Sequence, residues 1–179
     1  KGKFIYPSFI DLHTSYGLPK VETPPGGGGF GGGAEQIQTK TKGAFNDNQA
    51  IKPEYNAIAE FTLDSKTAEK FRAAGFGSVL TFRADGLARG TSAVVTVGED
   101  RDNTIVVKDK AAAHYSFNRG SSRQSYPVSL MGYIAVLRQT YLNAEWYSKQ
   151  PQSFKDLSLE AWTASQSLPQ IFDAGSWVN

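Results

Sequence analysis

The chain has 179 residues with a 40% apolar and 20% charged composition, which is typical of one globular domain with a buried core. A net charge of +2 without a basic stripe predicts no nucleic-acid partner, and the absence of cysteine excludes disulfides, zinc fingers and thiol catalysis. No apolar run is long enough to span a bilayer and no signal-peptide pattern is present, so we expect a soluble chain without a targeting segment, of undetermined compartment.

The first predicted element is a strand over residues 4–15. Its almost continuous apolar run suits a strand that is buried on both faces, and Asp11 and His13 interrupt this run near its end. Because the two residues are two positions apart, their side chains would point to the same side of the strand, where they could hold a metal ion or a proton. The alternative is a hydrogen-bonded structural pair, which is the commoner role of such neighbours.

The next segment, residues 21–43, is rich in glycine and proline and predicts a flexible loop within the one domain of residues 1–179. It contains the spacing of a phosphate-binding turn at Gly26, Gly28 and Gly31. Such a turn needs a strand directly before it and a helix directly after it, whereas two prolines precede this one. A flexible loop is therefore favoured over a phosphate site.

A helix over residues 66–74 follows a polar, turn-rich stretch. Asp64 or Ser65 can cap its first turn, and Gly75 is placed to end it. Residues 77–83 then have the composition of a strand. A helix joined to a strand by a glycine-containing turn is half of a βαβ unit, so this region predicts a parallel sheet.

Two β-branched runs, residues 91–97 and 104–108, predict a hairpin-like excursion. A polar, glycine-containing loop further along carries Arg119 and Arg123. Guanidinium and backbone N–H groups in such a loop can bind an anion. The alternative is a structural role in which the two arginines pair with carboxylates elsewhere.

The longest predicted helix covers residues 128–149 and starts after Pro127, and a second helix is predicted over residues 157–165. Two apolar stripes on the long helix predict that it is covered on more than one side and belongs to the core. The stripes are Leu130, Ile134, Leu137, Tyr141 and Ala144, and Met131, Ala135, Leu142 and Trp146.

The segment at residues 2–14 resembles the first barrel strand of the amidohydrolase superfamily, in particular its imidazolonepropionase-like subgroup. Residues 71–80 and 86–97 are similar to the second helix and strand of that family and to the loop and strand after them. The long helix carries the strongest similarity. The quoted segments read GKFIYPSFIDLHT, FRAAGFGSVL, GLARGTSAVVTV and SLMGYIAVLRQTYLNA.

This resemblance implies a metal-dependent hydrolase of carbon–nitrogen bonds, in which two histidines of an H-x-H pair bind a divalent metal, usually zinc. The first of these histidines corresponds to His13, and Asp11 would hold that histidine in place without binding the metal itself. The second falls on Ser15, whose hydroxyl is a poor ligand beside imidazole. The resemblance therefore implies a degenerate metal site, and we expect this chain alone to bind no metal.

A complete barrel of this kind needs about 250 residues. We therefore interpret the chain as an α/β protein, the N-terminal portion of a TIM-barrel-like fold with an incomplete barrel, inactive by itself. The remaining barrel segment of the parent chain, or a second copy, would be its partner. One alternative is a non-catalytic binding or structural module that acts by self-association or by binding a peptide or glycan. A third interpretation is nucleotide binding by the glycine-rich loop.

Overall fold

The computed structural model describes residues 2–22, 43–99, 102–150 and 154–175. The predicted flexible loop over residues 21–43 lies almost wholly outside the described residues. In chain order the elements are β1 (Phe9–Thr14), α1 (Ala57–Glu60), α2 (Ser65–Ala73), β2 (Phe76–Thr81), β3 (Ala88–Thr91), β4 (Ala93–Thr96), α3 (Asp102–Ile105), β5 (Val106–Lys108), β6 (Ala113–Ser116), α4 (Leu130–Lys149), α5 (Leu157–Ser165) and β7 (Gln170–Asp173).

The architecture is mixed α/β with two open sheets. The first sheet has the strand order β1-β2-β4-β5, in which β1 and β2 are parallel and the other neighbours are antiparallel. The second sheet has the order β3-β6-β7, in which β6 and β7 are parallel. The parallel pairing of β1 and β2 confirms the expectation drawn from the helix and strand between residues 66 and 83. Within the described residues the sheets do not close into a barrel.

The cap predicted for α2 is confirmed, and α4 begins at a cap that was not predicted. Asp64 caps α2 by accepting hydrogen bonds from the backbone N–H groups of Lys66 and Thr67. Ser129 caps α4 in the same way, so that this helix begins at Leu130 and not directly after Pro127. Each cap satisfies backbone donors that have no partner inside the first turn of a helix. None of the described helices is both long and apolar enough to cross a bilayer.

Two apolar cores lie on the two sheets. One core joins α4 and α5 to the second sheet, and the other joins α2 to the first sheet. The larger residues of the first core are Ile51, Leu87, Tyr115, Tyr147, Leu159 and Trp162. The second core contains Tyr16, Phe61, Ala68, Val79, Val95, Val97 and Ile105. The long helix thus packs with the second sheet.

The prediction that the first strand is buried on both faces is wrong. The strand begins only at Phe9, and Phe9, Ile10 and Leu12 are 68%, 60% and 64% exposed. The physical reason is its position, since among the described residues β1 lies at the edge of the first sheet and pairs with a strand on one side only. A continuous apolar run is typical of a strand with a neighbour on each side, and β1 would have that position only in a sheet that continued beyond it.

The predicted burial of the long helix is also wrong in detail. Most residues of the two predicted stripes are exposed, with Met131 83% and Trp146 54% exposed, whereas Ala144 of the first stripe is fully buried. The stripe that is buried runs through Ala144 and is made mostly of small residues that allow close approach to neighbouring elements. These residues are Gly132, Val136, Thr140, Ala144 and Tyr147.

Candidate functional site

The ring of Phe82 is the centre of a cluster where the two sheets meet. Phe82 directly follows β2 and extends its ladder, because its N–H donates to the carbonyl of Thr14 at 3.0 Å. The imidazole of His114, on β6, stacks on this ring with centroids 4.0 Å apart and ring planes 15° apart. The imidazole of His13, on β1, meets the same ring edge-on at 5.0 Å. Both histidines of the chain therefore contact one buried phenyl ring.

A charged pair lies beside these rings. Arg89 Nη1 donates to Asp173 Oδ2 at 3.0 Å, and Arg89 Nε donates to the carbonyl of Gly86 at 3.2 Å. The guanidinium lies 5.9 Å from the centre of the Phe82 ring. His13 Nε2 is 3.9 Å from the same Asp173 oxygen. Because Arg89 is only 6% exposed, its hydrogen bond to the carboxylate is stronger than that of a surface pair.

The electrostatics of the cluster keep His114 neutral. Burial, the positive charge of Arg89 and, last, the neighbouring His13 together lower the pKa of His114 to about 4. Its Nε2 atom is buried and has no hydrogen-bond partner among the described residues. A neutral imidazole with a free ring nitrogen can accept a proton or a hydrogen bond from a group that enters the cluster.

The donors present do not by themselves fit a catalytic zinc site. Such a site needs three protein ligands at about 2.0–2.3 Å from the metal. Within the described residues no group of three or more histidine, cysteine, aspartate or glutamate side chains is placed to hold a metal ion. The Asp173 oxygen that faces His13 already accepts a hydrogen bond from Arg89. A metal ion bound at this carboxylate would therefore have to compete with the Arg89 guanidinium for Asp173.

The residues singled out around His13 are not brought together as its partners. Asp11 Oδ1 accepts a hydrogen bond from the backbone N–H of His13 at 3.0 Å, so this carboxylate bonds to the backbone of His13 and not to its imidazole. Ser15 is exposed and lies beyond the end of β1, where its carbonyl accepts the N–H of Leu18 in a turn. The roles predicted for His13 and Asp11 at a metal stay predictions.

The two arginines of the polar loop have different surroundings. Arg119 Nη1 donates to the carbonyl of Gln124 at 2.9 Å, which ties the loop to itself. Arg123 is exposed, and its backbone N–H lies 3.5 Å from the side-chain oxygen of Gln49. Anion binding by this pair stays a prediction. The hydrogen bond of Arg119 to a carbonyl differs from the carboxylate pairing that we considered as its structural role.

Sequence reasoning did not assign roles to Phe82, Arg89, His114 and Asp173. Asp173 lies at the carboxyl end of β7 and Phe82 directly follows the carboxyl end of β2. These positions are the sequence feature that could have marked the two residues as part of a site. The signal was weak because β7 has only four residues and β2 was expected to continue through residue 83. No sequence pattern pointed to Arg89, because a buried arginine in a short strand can be recognised only when its carboxylate partner is known.

No family model and no curated protein matches the chain. Among solved structures, the chain is similar to the crystal structure of an amidohydrolase from Thermotoga maritima MSB8, with a TM-score of 0.65 and 19% sequence identity. The similarity covers 93% of this chain and 44% of that chain, so this chain spans less than half the length of that amidohydrolase. At this level of identity the likeness is one of fold.

Proposed function

We propose that this chain is the N-terminal part of an amidohydrolase-like protein of the imidazolonepropionase-like subgroup. The activity of that family is metal-dependent hydrolysis of non-peptide amide or imide C–N bonds. The observation that carries the proposal is the fold shared with an amidohydrolase over 93% of this chain. The resemblance of residues 2–14 to the first barrel strand of the family supports it independently.

The arrangement of strand ends supports the same proposal. His13 is the last residue but one of β1, which is parallel to β2, and Phe82 directly follows β2. Asp173 ends β7, which is parallel to β6, the strand that carries His114 as its second residue. Barrel enzymes of the TIM type build their active sites at the carboxyl ends of parallel strands. We propose that the cluster around Phe82 is the part of such a site that this chain supplies.

The chain by itself should not hydrolyse its substrate. Its described residues do not provide the three protein ligands that a catalytic zinc needs. We propose that the divalent metal of the family is bound only when a longer chain adds further ligands to the residues present here. We therefore assign no catalytic step to this chain alone.

We propose that the partner is the remaining barrel segment of the parent protein, or a second copy of this chain. The exposed apolar residues of β1 support this, because one edge of the strand is unpaired within the described part of the chain and parallel sheets are normally buried on both faces. At roughly 25 cal/mol per Å² of apolar surface, several hundred Å² left in water cost several kcal/mol. That is comparable with the whole stability of a small domain.

The test compares this chain with a longer chain from the same reading frame. Both are incubated with Zn²⁺ or Mn²⁺ and assayed on a panel of N-acyl and imide substrates, and the bound metal is measured by elemental mass spectrometry. We expect metal and turnover in the longer chain only, and loss of turnover in its His13→Ala variant. Metal-dependent turnover by this chain alone, abolished by His13→Ala, would contradict the proposed inactivity. A longer chain without metal or turnover would support the non-catalytic binding module instead.

A further inference from the structure

An apolar groove lies between α4 and β7, on the face of the second sheet that does not carry the Phe82 cluster. Side chains alternate between the two faces of a strand, so His114 and Asp173 face the cluster, whereas their neighbours Tyr115 and Phe172 face the groove. The volume of this α4–β7 groove is about 470 Å³. The lining residues are Tyr115, Leu137, Tyr141, Trp162, Gln166, Gln170 and Phe172.

Aromatic rings form the floor of the α4–β7 groove. Tyr115 stacks on Phe172 with ring centroids 5.0 Å apart and meets Trp162 edge-on at 5.3 Å. Tyr115 and Trp162 are 6% and 5% exposed and belong to the core, whereas Phe172 is 57% exposed. Phe172 lies on β7, which has a partner strand on one side only within the described residues. The floor is therefore an extension of the core that the described chain leaves uncovered at Phe172.

One wall of the groove is an apolar stripe along α4. Its residues recur at spacings of four, three and four positions, which places them on one side of the helix. They are Leu130, Ile134, Leu137 and Tyr141. Leu130, Ile134 and Tyr141 are 41%, 48% and 49% exposed, and Leu137 packs against the core. The stripe covers about three helical turns, or about 16 Å, and continues beyond the lining of the cavity.

The chemistry of this surface favours a helix over a small molecule. None of the seven described lining residues is charged, so the groove does not select an ionic group. A small ligand in the cavity would leave Leu130 and Ile134 in water, whereas a helix packed along α4 would cover the whole stripe. Apolar residues at spacings of three and four are also the pattern through which helices pack against each other.

The chain topology indicates which helix fits the groove. β6 and β7 are parallel, and α4 and α5 connect them across the face that carries the groove. Such crossover connections are right-handed in nearly all proteins. A further crossover of the same hand, from β7 to a parallel strand beside it, places its helix on this same face, next to α4 and over Phe172.

We propose that the α4–β7 groove is the docking site of the amphipathic helix that follows β7 in the remaining barrel segment. This inference rests on the proposed function, in which further chain follows this one. The helix presents apolar residues at spacings of three and four to α4 and to the Phe172 ring, and it turns its polar face to solvent. The groove lies on the second sheet, so it is a contact surface separate from the edge of β1.

The experiment measures thiol accessibility, because these 179 residues contain no cysteine. Tyr141→Cys is introduced into this chain and into the longer chain, and alkylation of that thiol by N-ethylmaleimide is followed by peptide mass spectrometry. We expect alkylation to be about 10-fold slower in the longer chain, where the docked helix covers the thiol. The matched control is Gln139→Cys, an exposed position about 160° around the helix from Tyr141, whose rate should be equal in both chains.

A second groove variant, Ile134→Cys, repeats the measurement one stripe position further from β7's cavity, and thermal unfolding verifies that each variant folds. Equal alkylation rates in the two chains at both groove positions would overturn the proposal. Slower alkylation of the groove thiols as the concentration of this chain alone is raised would assign the groove to a second copy, and this too would overturn it.

Alkylation reports packing and does not depend on bound metal or on turnover, so the docking and the proposed function can fail separately. Protected groove thiols in a longer chain without turnover would support the docking and contradict the proposed hydrolase activity. Turnover in a longer chain whose groove thiols stay reactive would support the activity and overturn the docking.

Discussion

The imidazole of His114 lies flat against the phenyl ring of Phe82, with ring centroids 4.0 Å apart. Both side chains are 2% exposed, and the Arg89 guanidinium lies near the Phe82 ring. Protonation of His114 would place a second positive charge beside Arg89 in a buried environment. The stack therefore links the protonation state of one histidine to the stability of the whole fold.

The first prediction is that acid destabilises the protein through His114. Its pKa is about 4 in the folded chain and 6.5 in the unfolded chain, so the unfolded state binds more protons between those values. Stability should therefore fall as the pH drops from about 6.5 to about 4, by up to about 3 kcal/mol. Urea unfolding across this range measures the loss.

Replacement of His114 by Phe should remove this part of the pH dependence, because the stacked ring remains and the titrating group does not. The raised pKa of Glu54 acts in the opposite direction, but it contributes equally to both chains, so the difference between them isolates His114. The control is His13→Gln, which should keep most of the pH dependence, because burial and Arg89 lower the pKa of His114 more than the 66% exposed His13 does. Equal pH slopes in the natural chain and in His114→Phe would refute the prediction.

The second prediction concerns Lys52, whose ammonium is the partner of the buried Asp85. Lys52→Met removes the closer of two cations from this carboxylate and leaves Arg83 Nε at 3.8 Å, so it should cost about 2 kcal/mol. The matched control is Lys149→Met, which breaks an exposed pair with Glu145 one helical turn away and should cost less than about 0.5 kcal/mol. Chemical denaturation of the two variants gives both values. Similar losses would show that the buried pair is no more important than the surface pair.

The third prediction concerns Gly90, in β3. Its φ of +74° lies in the left-handed region, and a Cβ there would overlap the carbonyl oxygen of Tyr55, which accepts the N–H of Thr91. Gly90→Ala should cost at least about 3 kcal/mol, from backbone strain and steric overlap together.

The control is Gly175→Ala, where φ is +71° but no described atom lies within 4 Å of the added methyl group. This variant measures the cost of the left-handed backbone conformation alone, which we expect to be about 1 kcal/mol of unfolding free energy. Thermal unfolding separates the two variants. If Gly90→Ala unfolds at the same temperature as Gly175→Ala, the close approach of Tyr55 does not constrain the chain.

The fourth prediction is that the chain on its own self-associates through β1. Light scattering after size exclusion should give a mass above that of the monomer at high micromolar concentration. Leu12→Lys should shift the chain towards the monomer, because it places a charge on the exposed apolar strand.

Val107→Lys is the control for this experiment. Val107 is 61% exposed on β5, at the opposite edge of the same sheet, and is followed by a lysine and not by further apolar residues. It should leave the association unchanged. A monodisperse monomer of the natural chain that binds no ANS would exclude self-association and favour a self-contained module.

The long helix α4 shows how far sequence reasoning reached. Its existence and its end near Lys149 were predictable from local periodicity, yet the buried stripe was not. Apolar residues occur around most of this helix, so periodicity did not single out one face. The core instead takes the stripe with Gly132 and Ala144, because small residues allow the closest packing.

What the sequence alone determined are features that neighbouring residues encode: the cap of α2 at Asp64, the turn at Gly75, and the polar end of β1 with His13. A cap joins residues two or three positions apart, so its geometry is present in a short segment. Only the tertiary structure decided that Arg89 meets Asp173, 84 positions away, and that β1 lies at a sheet edge with its apolar side chains exposed. Such relationships depend on how the sheets pair and pack, and that pairing is set by many weak contacts between distant segments and not by any single local pattern.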